Sequence, residues 1–398
     1  MRQIPYVFNQ LCQYLDRDYF EYLVKKYGGN KYVKSFTCWN HLLVMLWAQF
    51  TSRASLRDIE MSLLAHSDKL YRLGMGKSVA RSTLAEANSK RDVAIYREMA
   101  HRMMERASSS VRTCKSELRR IFDGTQVAGF FAIDSSTVHL DLGRFPWSVP
   151  QRNGGGIKLH TLYDIFKQIP AMCLVTVNEE RDQSFMEYYR YREGCLYVFD
   201  KAYIKTCALA KINGCGAWFV ARPRKRMRLN EVYSREPIVG RGIMSDKVVV
   251  FGNSVAKAAY SVPLRMVDYY CSEKNELLRF ITNNMELDAG TVAEAYKKRW
   301  EIELFFKWIK QHLRIEDFFG TSANAVSIQI YTAITAFCII AMAADNHCRG
   351  FSTYEAARIL STCLTEKKWI QDLLAHAHEY DKQTLKWPSL FDGMLITK

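Results

Sequence analysis

The sequence predicts a mixed α/β protein, in which an α-helical N-terminal region precedes a mixed-sheet core that carries a β-rich insertion. Three observations predict it. Short apolar runs of β-branched and aromatic residues recur between residues 130 and 221, separated by helix-compatible stretches, which is the order of a mixed α/β core. Alternating β-branched stretches then crowd residues 222–289. Residues 1–110 carry helix-start patterns instead.

Within that N-terminal region, Ser55-Leu56-Arg57-Asp58-Ile59-Glu60 opens with a capping pattern. A turn containing Gly74 and Gly76 precedes a second helix start over Ser78–Asn88. Helix, turn and helix with Arg81, Lys90 and Arg91 nearby would suit a recognition helix in a major groove, although any helical bundle gives the same signals.

The core begins at residue 111. The run Phe130 to Ile133 ends on Asp134, and the run Leu196 to Phe199 ends on Asp200. Each reads as a buried strand presenting an Asp at its end, where a parallel sheet exposes ligands to a crevice. A single Asp after an apolar run is common as a helix cap or turn residue; two of them are a stronger signal. Between them, Ile157–Ile165 and Ile169–Val177 read as strands joined around Lys167 and Gln168, and Asp182–Arg192 as a helix-compatible stretch. A helix over Ala202–Ile212, a turn at Gly214 and Gly216 and a strand over Ala217–Ala221 follow. The first core segment is thus 111–221.

Residues 222–289 read as an insertion on the edge of the core. It opens on Arg222, Arg224, Lys225, Arg226 and Arg228 and continues with strand-like stretches Lys247–Phe251, Tyr260–Tyr270 and Leu277–Thr282. A basic run of this kind serves equally as a solvated loop or a phosphate-binding one.

Residues 290–345 complete the core. Tyr296, Arg299, Glu303 and Lys310 recur at spacings of three, four and seven, so on one helix they fall within roughly 60° of each other. Leu304, Phe305, Trp308 and Ile309 are expected on the far side, against a core, and Glu301 about 140° away from Glu303. Charged stripes on helices are commonly solvent faces, but one carboxylate among cations also suits a metal and a phosphate. From Ser322 to Ala344 no charged residue occurs. That length could cross a bilayer, yet Asn324, Ser327, Gln329, Thr332 and Thr335 interrupt it, so a buried helix behind the Glu303 helix is expected. Residues 346–398 read as helical packing, with His376 and His378 at the surface.

Composition agrees with a polyanionic partner. The chain has 398 residues, 48% of them hydrophobic, and 56 Lys plus Arg against 41 Asp plus Glu, for a net charge of +15. Such an excess favours polyanions by counterion release and steering without saying which, and the basic balance alone also fits ribosomal and membrane-surface proteins. Eleven cysteines form no CxxC pair; the spacing of Cys207 and Cys215 does not match a zinc half-site. Reduced thiols in a cytoplasm are expected, and MRQIPYVFNQ carries no signal-peptide pattern.

Taken together, these residues resemble the DDE transposases of bacterial insertion sequences, in the insertion sequence 4 family. Its Y-x2-R-x3-E-x6-K signature stands complete as Tyr296, Arg299, Glu303 and Lys310. Asp200-Lys201-Ala202-Tyr203 is similar to its second-Asp motif, with Ala202 where Gly is often found, and Asp134-Ser135-Ser136-Thr137 is similar to its first. The resemblance extends over nearly the whole chain and implies a ribonuclease-H-like core. It implies that Asp134, Asp200 and Glu303 are the catalytic carboxylates, holding two divalent cations, Mg²⁺ or Mn²⁺, as hard oxygen ligands do. Tyr296, Arg299 and Lys310 would hold the DNA end, Arg224, Lys225, Arg226 and Arg228 its phosphates, and residues 1–110 the terminal inverted repeats. Water would cut the strand and the freed 3′-hydroxyl would attack target DNA, with a hairpin at the element's end. A homodimer on double-stranded DNA is expected, in the cytoplasm and away from membranes.

Other residues are weaker candidates. Asp141, Asp164 and Asp182 are carboxylates of the core that could stand near the metals; His139 and His160 read as satisfied strand residues, and Lys158 could meet DNA. A structure-specific nuclease would share the carboxylates without strand transfer. A non-catalytic DNA-binding regulator would need only the charge and the N-terminal region.

Overall fold

The structure, a computed structural model, describes residues 4–112, 116–151, 154–176, 182–235, 242–273, 275–312, 318–347 and 352–375. His376, His378 and Val177, named above, lie outside the described residues. The chain forms two compact units, one of residues 1–112 with 308–398, the other of residues 113–307.

The first unit opens with six helices: α1 (Val7–Cys12), α2 (Arg17–Lys26), α3 (Cys38–Phe50), α4 (Leu56–Ala65), α5 (Arg81–Lys90) and α6 (Val93–Ser110). Ser55 caps α4 as its sequence predicts, its side chain accepting from the Asp58 amide at 3.1 Å. α3 is apolar almost all round and buried, as a central core helix must be. His41 on α3 is bonded to the Tyr96 hydroxyl at 2.6 Å and to Asn88 Oδ1 at 2.8 Å; burial drives its pKa down to about 3, so it is a neutral packing residue.

The second unit begins with α7 (Ser116–Arg120) and contains β1 (Gly129–Leu140), β2 (Val149–Gln151), β3 (Gly154–Asp164), β4 (Ile169–Thr176), α8 (Asp182–Phe185) and β5 (Cys195–Phe199). A 3₁₀ turn over Lys201–Tyr203, α9 (Thr206–Gly214) and β6 (Trp218–Ala221) follow. Then come β7 (Leu229–Arg235), β8 (Ile243–Phe251), α10 (Ser254–Ala259), β9 (Leu264–Cys271), β10 (Glu276–Thr282), α11 (Ala289–Lys297) and α12 (Trp300–His312). All ten strands form one mixed sheet in the order β2-β3-β1-β5-β6-β10-β9-β8-β7, with β4 also on β3. This is the mixed α/β architecture expected, consistent with a ribonuclease-H-like core.

Residues 222–289, read above as an insertion, are continuous with that sheet. Their last strand, β10, pairs antiparallel with β6, placing Ile281 opposite Ala221, so the insertion prolongs the core sheet. Several boundaries differ from the sequence reading. Only Asp182–Phe185 of the 182–192 stretch is helical. The strand expected from Tyr260 starts at Leu264, because Tyr260 closes α10 and Pro263 has no amide to give a ladder.

The chain re-enters the first unit within α12 and ends in α13 (Ala323–His347) and α14 (Thr353–Thr362). α13 is long and apolar enough to cross a membrane, but 94% of its most apolar window is buried in the protein. Trp308 of α12 meets Phe337 of α13 edge to face, ring centroids 4.7 Å apart. The uncharged stretch is therefore a core helix, as its interrupting amides and hydroxyls suggested.

Candidate active site

β1 and β5 are neighbouring parallel strands, with Ile133 opposite Phe199 in the register. The next residues, Asp134 and Asp200, thus stand side by side where this pairing stops; Asp200 follows the end of β5, but the expectation that Asp134 ends its strand is corrected, because β1 continues to Leu140 and keeps Asp134 opposite Thr161 of β3. Both strands are buried along the paired segment, so the two carboxylates emerge where apolar packing stops. After Asp200 the chain turns at once, the Tyr203 amide donating to the Asp200 carbonyl at 3.0 Å.

The Tyr-Arg-Glu-Lys stretch, expected on one helix, is broken. Tyr296 ends on α11, Arg299 lies in the link at residues 298–299, and Glu303 and Lys310 are on α12. Around the break the amides reach back three residues: Arg299 to Tyr296, Glu301 to Lys298 and Ile302 to Arg299, at 3.0–3.2 Å. This 3₁₀ tightening eclipses residues three apart, and the Arg299 guanidinium stands 6.0 Å from the centre of the Tyr296 ring.

From that link Arg299 joins the other groups. One guanidinium nitrogen donates to Asp134 Oδ2; the other donates to Glu303 Oε1 at 2.5 Å. Their side chains are 17%, 19% and 32% exposed for Arg299, Asp134 and Glu303, so solvent screens these pairs only partly. The Tyr296 hydroxyl donates to Asp200 Oδ1 at 3.4 Å, while its ring lies 4.8 Å from that of Phe280 on β10. Asp134, Asp200, Tyr296, Arg299 and Glu303 therefore converge. Lys310 lies two helical turns beyond Glu303, where α12 belongs to the first unit.

Burial pushes the Asp134 carboxyl up to about 6; the Arg299 charge opposes this, and the charges of Glu303 and Asp200 add to it. Burial likewise raises the Tyr296 hydroxyl to about 12, keeping it a neutral donor. Arg299 Nε is buried without a hydrogen-bond partner. Three mutually repelling carboxylates are the donor chemistry of a hard divalent cation. Among the described residues, however, no three ligating side chains are gathered tightly enough to hold one; the Arg299 guanidinium provides the positive charge between Asp134 and Glu303.

The far face of α12 is corrected. Among the described residues Ile302, Phe305, Phe306 and Ile309 form the buried stripe, while Leu304, about 100° from Phe305 on the flank of that stripe, is 47% exposed. Glu301 points elsewhere, as its angle predicted, and accepts from Gln168 Nε2 at 3.2 Å.

Of the basic run, Arg224 donates to the carbonyls of Lys201, Ala202 and Ile204 at 2.9–3.4 Å, bracing the turn that follows Asp200. Arg222 pairs with Glu276 at 3.1 Å. Lys225, Arg226 and Arg228 are exposed. The sequence offered no sign of the Arg224 brace, since a carbonyl partner leaves no motif.

The weaker candidates resolve into structural roles. Asp141 accepts from the Arg144 amide and Asp164 from the Lys167 amide, each closing a turn. His160 is buried, bonded to Thr176 Oγ1 at 3.1 Å. His139 is exposed rather than packed, and Lys158 is half-buried in β3. The side chain of Asp182 is not among those described.

In the N-terminal region the helix-turn-helix expectation is corrected. Residues 66–80 separate α4 from α5, far beyond the short turn of that motif. Arg91 is buried and donates to the carbonyls of Phe36 and Thr37, and Lys90 pairs with Glu86 at 2.6 Å.

Comparison with known families decides the class. Residues 125–339, more than half of the chain, match the family described as Transposase DDE domain. The chain belongs to that transposase family. The match contains Asp134, Asp200 and the whole Tyr-Arg-Glu-Lys stretch. Residues 5–76 match a domain of unknown function, DUF4372. A Sinorhizobium fredii chain, y4zB, whose name describes it as a transposase, is 27% identical over 295 residues, 73% of this chain and 79% of that one. A Geobacillus stearothermophilus protein named “Probable transposase for insertion sequence element IS5377” is 29% identical over 210 residues, 52% of this chain and 55% of that one. A solved piggyBac transposase synaptic complex with hairpin DNA covers 98% of this chain and 84% of its own at 11% identity, TM-score 0.48.

Proposed function

We propose that this transposase mobilises a bacterial insertion sequence of the insertion sequence 4 family. It binds the element's terminal inverted repeats, cleaves DNA at the ends and joins the freed ends to target DNA. Support comes from the family, from relatives named for insertion sequence elements, and above all from one observation: Asp134 and Asp200 stand side by side where the parallel pairing of β1 and β5 stops, and Glu303 is tied to Asp134 through Arg299.

In this reading Asp134, Asp200 and Glu303 would hold divalent cations, Mg²⁺ or Mn²⁺, once Arg299 releases Asp134 and Glu303; such cations would supply Lewis acidity and charge compensation for phosphoryl transfer. The chain's own residues do the rest. Arg299 exchanges a carboxylate for a phosphate oxygen of the DNA end, a change its planar donor fork permits. Tyr296 stays neutral and donates to the adjacent backbone, and Lys310 adds a point charge along the same helix. Lys225, Arg226 and Arg228 meet phosphates further along the duplex. No protein nucleophile is required. Residues 1–110 bind the ends, 111–221 and 290–345 form the catalytic core, 222–289 handles the element's terminus, and 346–398 packs as a helical region. The active form on DNA is a homodimer, working in the cytoplasm at the nucleoid.

The test is incubation of the purified protein with a duplex carrying its element's terminal repeat, a target plasmid and Mg²⁺ or Mn²⁺, resolved on denaturing gels. Nicking at the terminus followed by end-to-target joining is expected. Cleavage without joining would replace this reading by a structure-specific nuclease, and binding without cleavage by a regulator.

A further inference from the structure

Two loops of the N-terminal helical region converge on the first turn of α3. In the first, residues 28–35, Asn30 Oδ1 accepts from the Cys38 amide at 2.8 Å. In the second, residues 74–80, the Met75 carbonyl accepts from Asn40 Nδ2 at 3.0 Å. The first loop is rigidly seated: a Cβ on Gly29 would stand 2.6 Å from Ile95 Cδ1 and 2.8 Å from Cys38 Sγ. The Lys31 and Val33 amides close tight turns on the Gly28 and Asn30 carbonyls.

What this frame displays is basic and aromatic. Lys31 and Lys34 on the first loop, Lys77 on the second and Arg81 at the start of α5 are all exposed, and none forms an ion pair among the described residues. Neighbouring Lys26, by contrast, is neutralised by Glu98 at 3.1 Å. Tyr32 is 91% exposed and has φ +63°, a left-handed conformation unfavourable for an aromatic residue. Strain of that kind persists where the surrounding structure imposes it, typically at binding sites. The Lys31 ammonium stands 5.3 Å from the centre of the Tyr32 ring, so the two side chains form one basic and aromatic unit.

We propose that these paired loops, with Lys31, Tyr32, Lys34, Lys77 and Arg81, form a contact surface for the sugar-phosphate backbone of duplex DNA. Four unneutralised cations on a stiff frame match a row of phosphates, and the Tyr32 ring offers a flat apolar face to the sugar edge. The surface meets α5 only at its first residue, Arg81, whose amide donates to Glu60 of α4 at 2.9 Å, and it rests on the reading that this chain acts on DNA.

The test uses full-length protein and fluorescence anisotropy on two labelled duplexes of equal length, one with the terminal repeat and one scrambled, across a salt series. The triple variant Lys31→Ala/Lys34→Ala/Lys77→Ala should lower the log–log salt slope by about two to three on both duplexes, since each phosphate contact contributes about 0.9. The corresponding triple Lys-to-Arg variant should restore it. Tyr32→Gly relieves the left-handed conformation, so it should melt no lower than wild type while binding several-fold more weakly. An unchanged slope in the triple alanine variant, with wild type binding normally, would overturn the surface and leave the proposed function standing. Wild type that binds neither duplex would overturn both.

Discussion

Arg299 is bonded to Asp134, 165 residues earlier in the chain, although neither belongs to the same strand or helix. The link between α11 and α12 exists to make that reach: its 3₁₀ turn brings the guanidinium round so that a second nitrogen meets Glu303 on the following helix. A stretch that reads in the sequence as one helical stripe is thus a break between two helices, with the guanidinium at the break.

Removing that cation should loosen the second unit. Arg299→Ala leaves Asp134 and Glu303 facing each other without a counter-charge, and breaking so buried a pair costs about 2–3 kcal/mol. Urea unfolding in EDTA should show that loss. Excess Mn²⁺ should recover part of it by supplying the missing charge; a variant as stable as wild type in EDTA would show that the pair contributes nothing.

Asp134 gives stability a pH dependence of known sign. Its folded value of about 6 lies above the ordinary 3.8, so the folded chain holds the proton more tightly than the unfolded one. The contribution is greatest in acid and is lost as pH rises from about 4 through about 6, by on the order of 3 kcal/mol. Metal-free wild type and Asp134→Asn, unfolded side by side at pH 5 and pH 7, should differ in slope accordingly. Equal pH dependence in the two proteins would count against a raised Asp134. Divalent cation affinity should run the opposite way, falling below pH 6 as the carboxyl takes up its proton.

Arg265 and Asp246 form a buried pair, 3% and 7% exposed, joined at 2.6 and 2.8 Å, and Arg265 also bonds the Leu287 carbonyl just before α11. Asp246→Asn weakens the pair and leaves a buried guanidinium without its counter-charge, at a cost of about 3–5 kcal/mol. Thermal melting should drop by many degrees, and hydrogen exchange should show α11 opening with β8 and β9. Exchange confined to the two strands would mean that the pair does not anchor α11.

Much of this site was legible because its signals are local. Asp134 and Asp200 follow apolar runs that are buried in the structure; the end of the run marks the end of β5 at Phe199, whereas β1 continues past Asp134 to Leu140 because β3 still pairs with it there. The Tyr296, Arg299 and Glu303 spacing survives the helix break because a 3₁₀ turn keeps residues three apart together. What escaped depends on distant neighbours. Leu304 is apolar but uncovered, Arg224 binds carbonyls that any residue carries, and the insertion joins the sheet through β10 and β6, whose pairing no local pattern specifies. Arg91 looked like a free cation beside a helix; only the positions of the Phe36 and Thr37 carbonyls show it to be a buried strut.

The most direct test separates two glutamates two residues apart. Glu301→Gln and Glu303→Gln should be assayed on the same terminal duplex for binding by anisotropy and for Mg²⁺-dependent nicking on a denaturing gel. The account predicts that both bind like wild type, that Glu301→Gln nicks within about tenfold of it, and that Glu303→Gln loses at least 10³-fold, a few kcal/mol of barrier. Nicking that survives in Glu303→Gln, or disappears in Glu301→Gln instead, would contradict the assignment of the catalytic carboxylate.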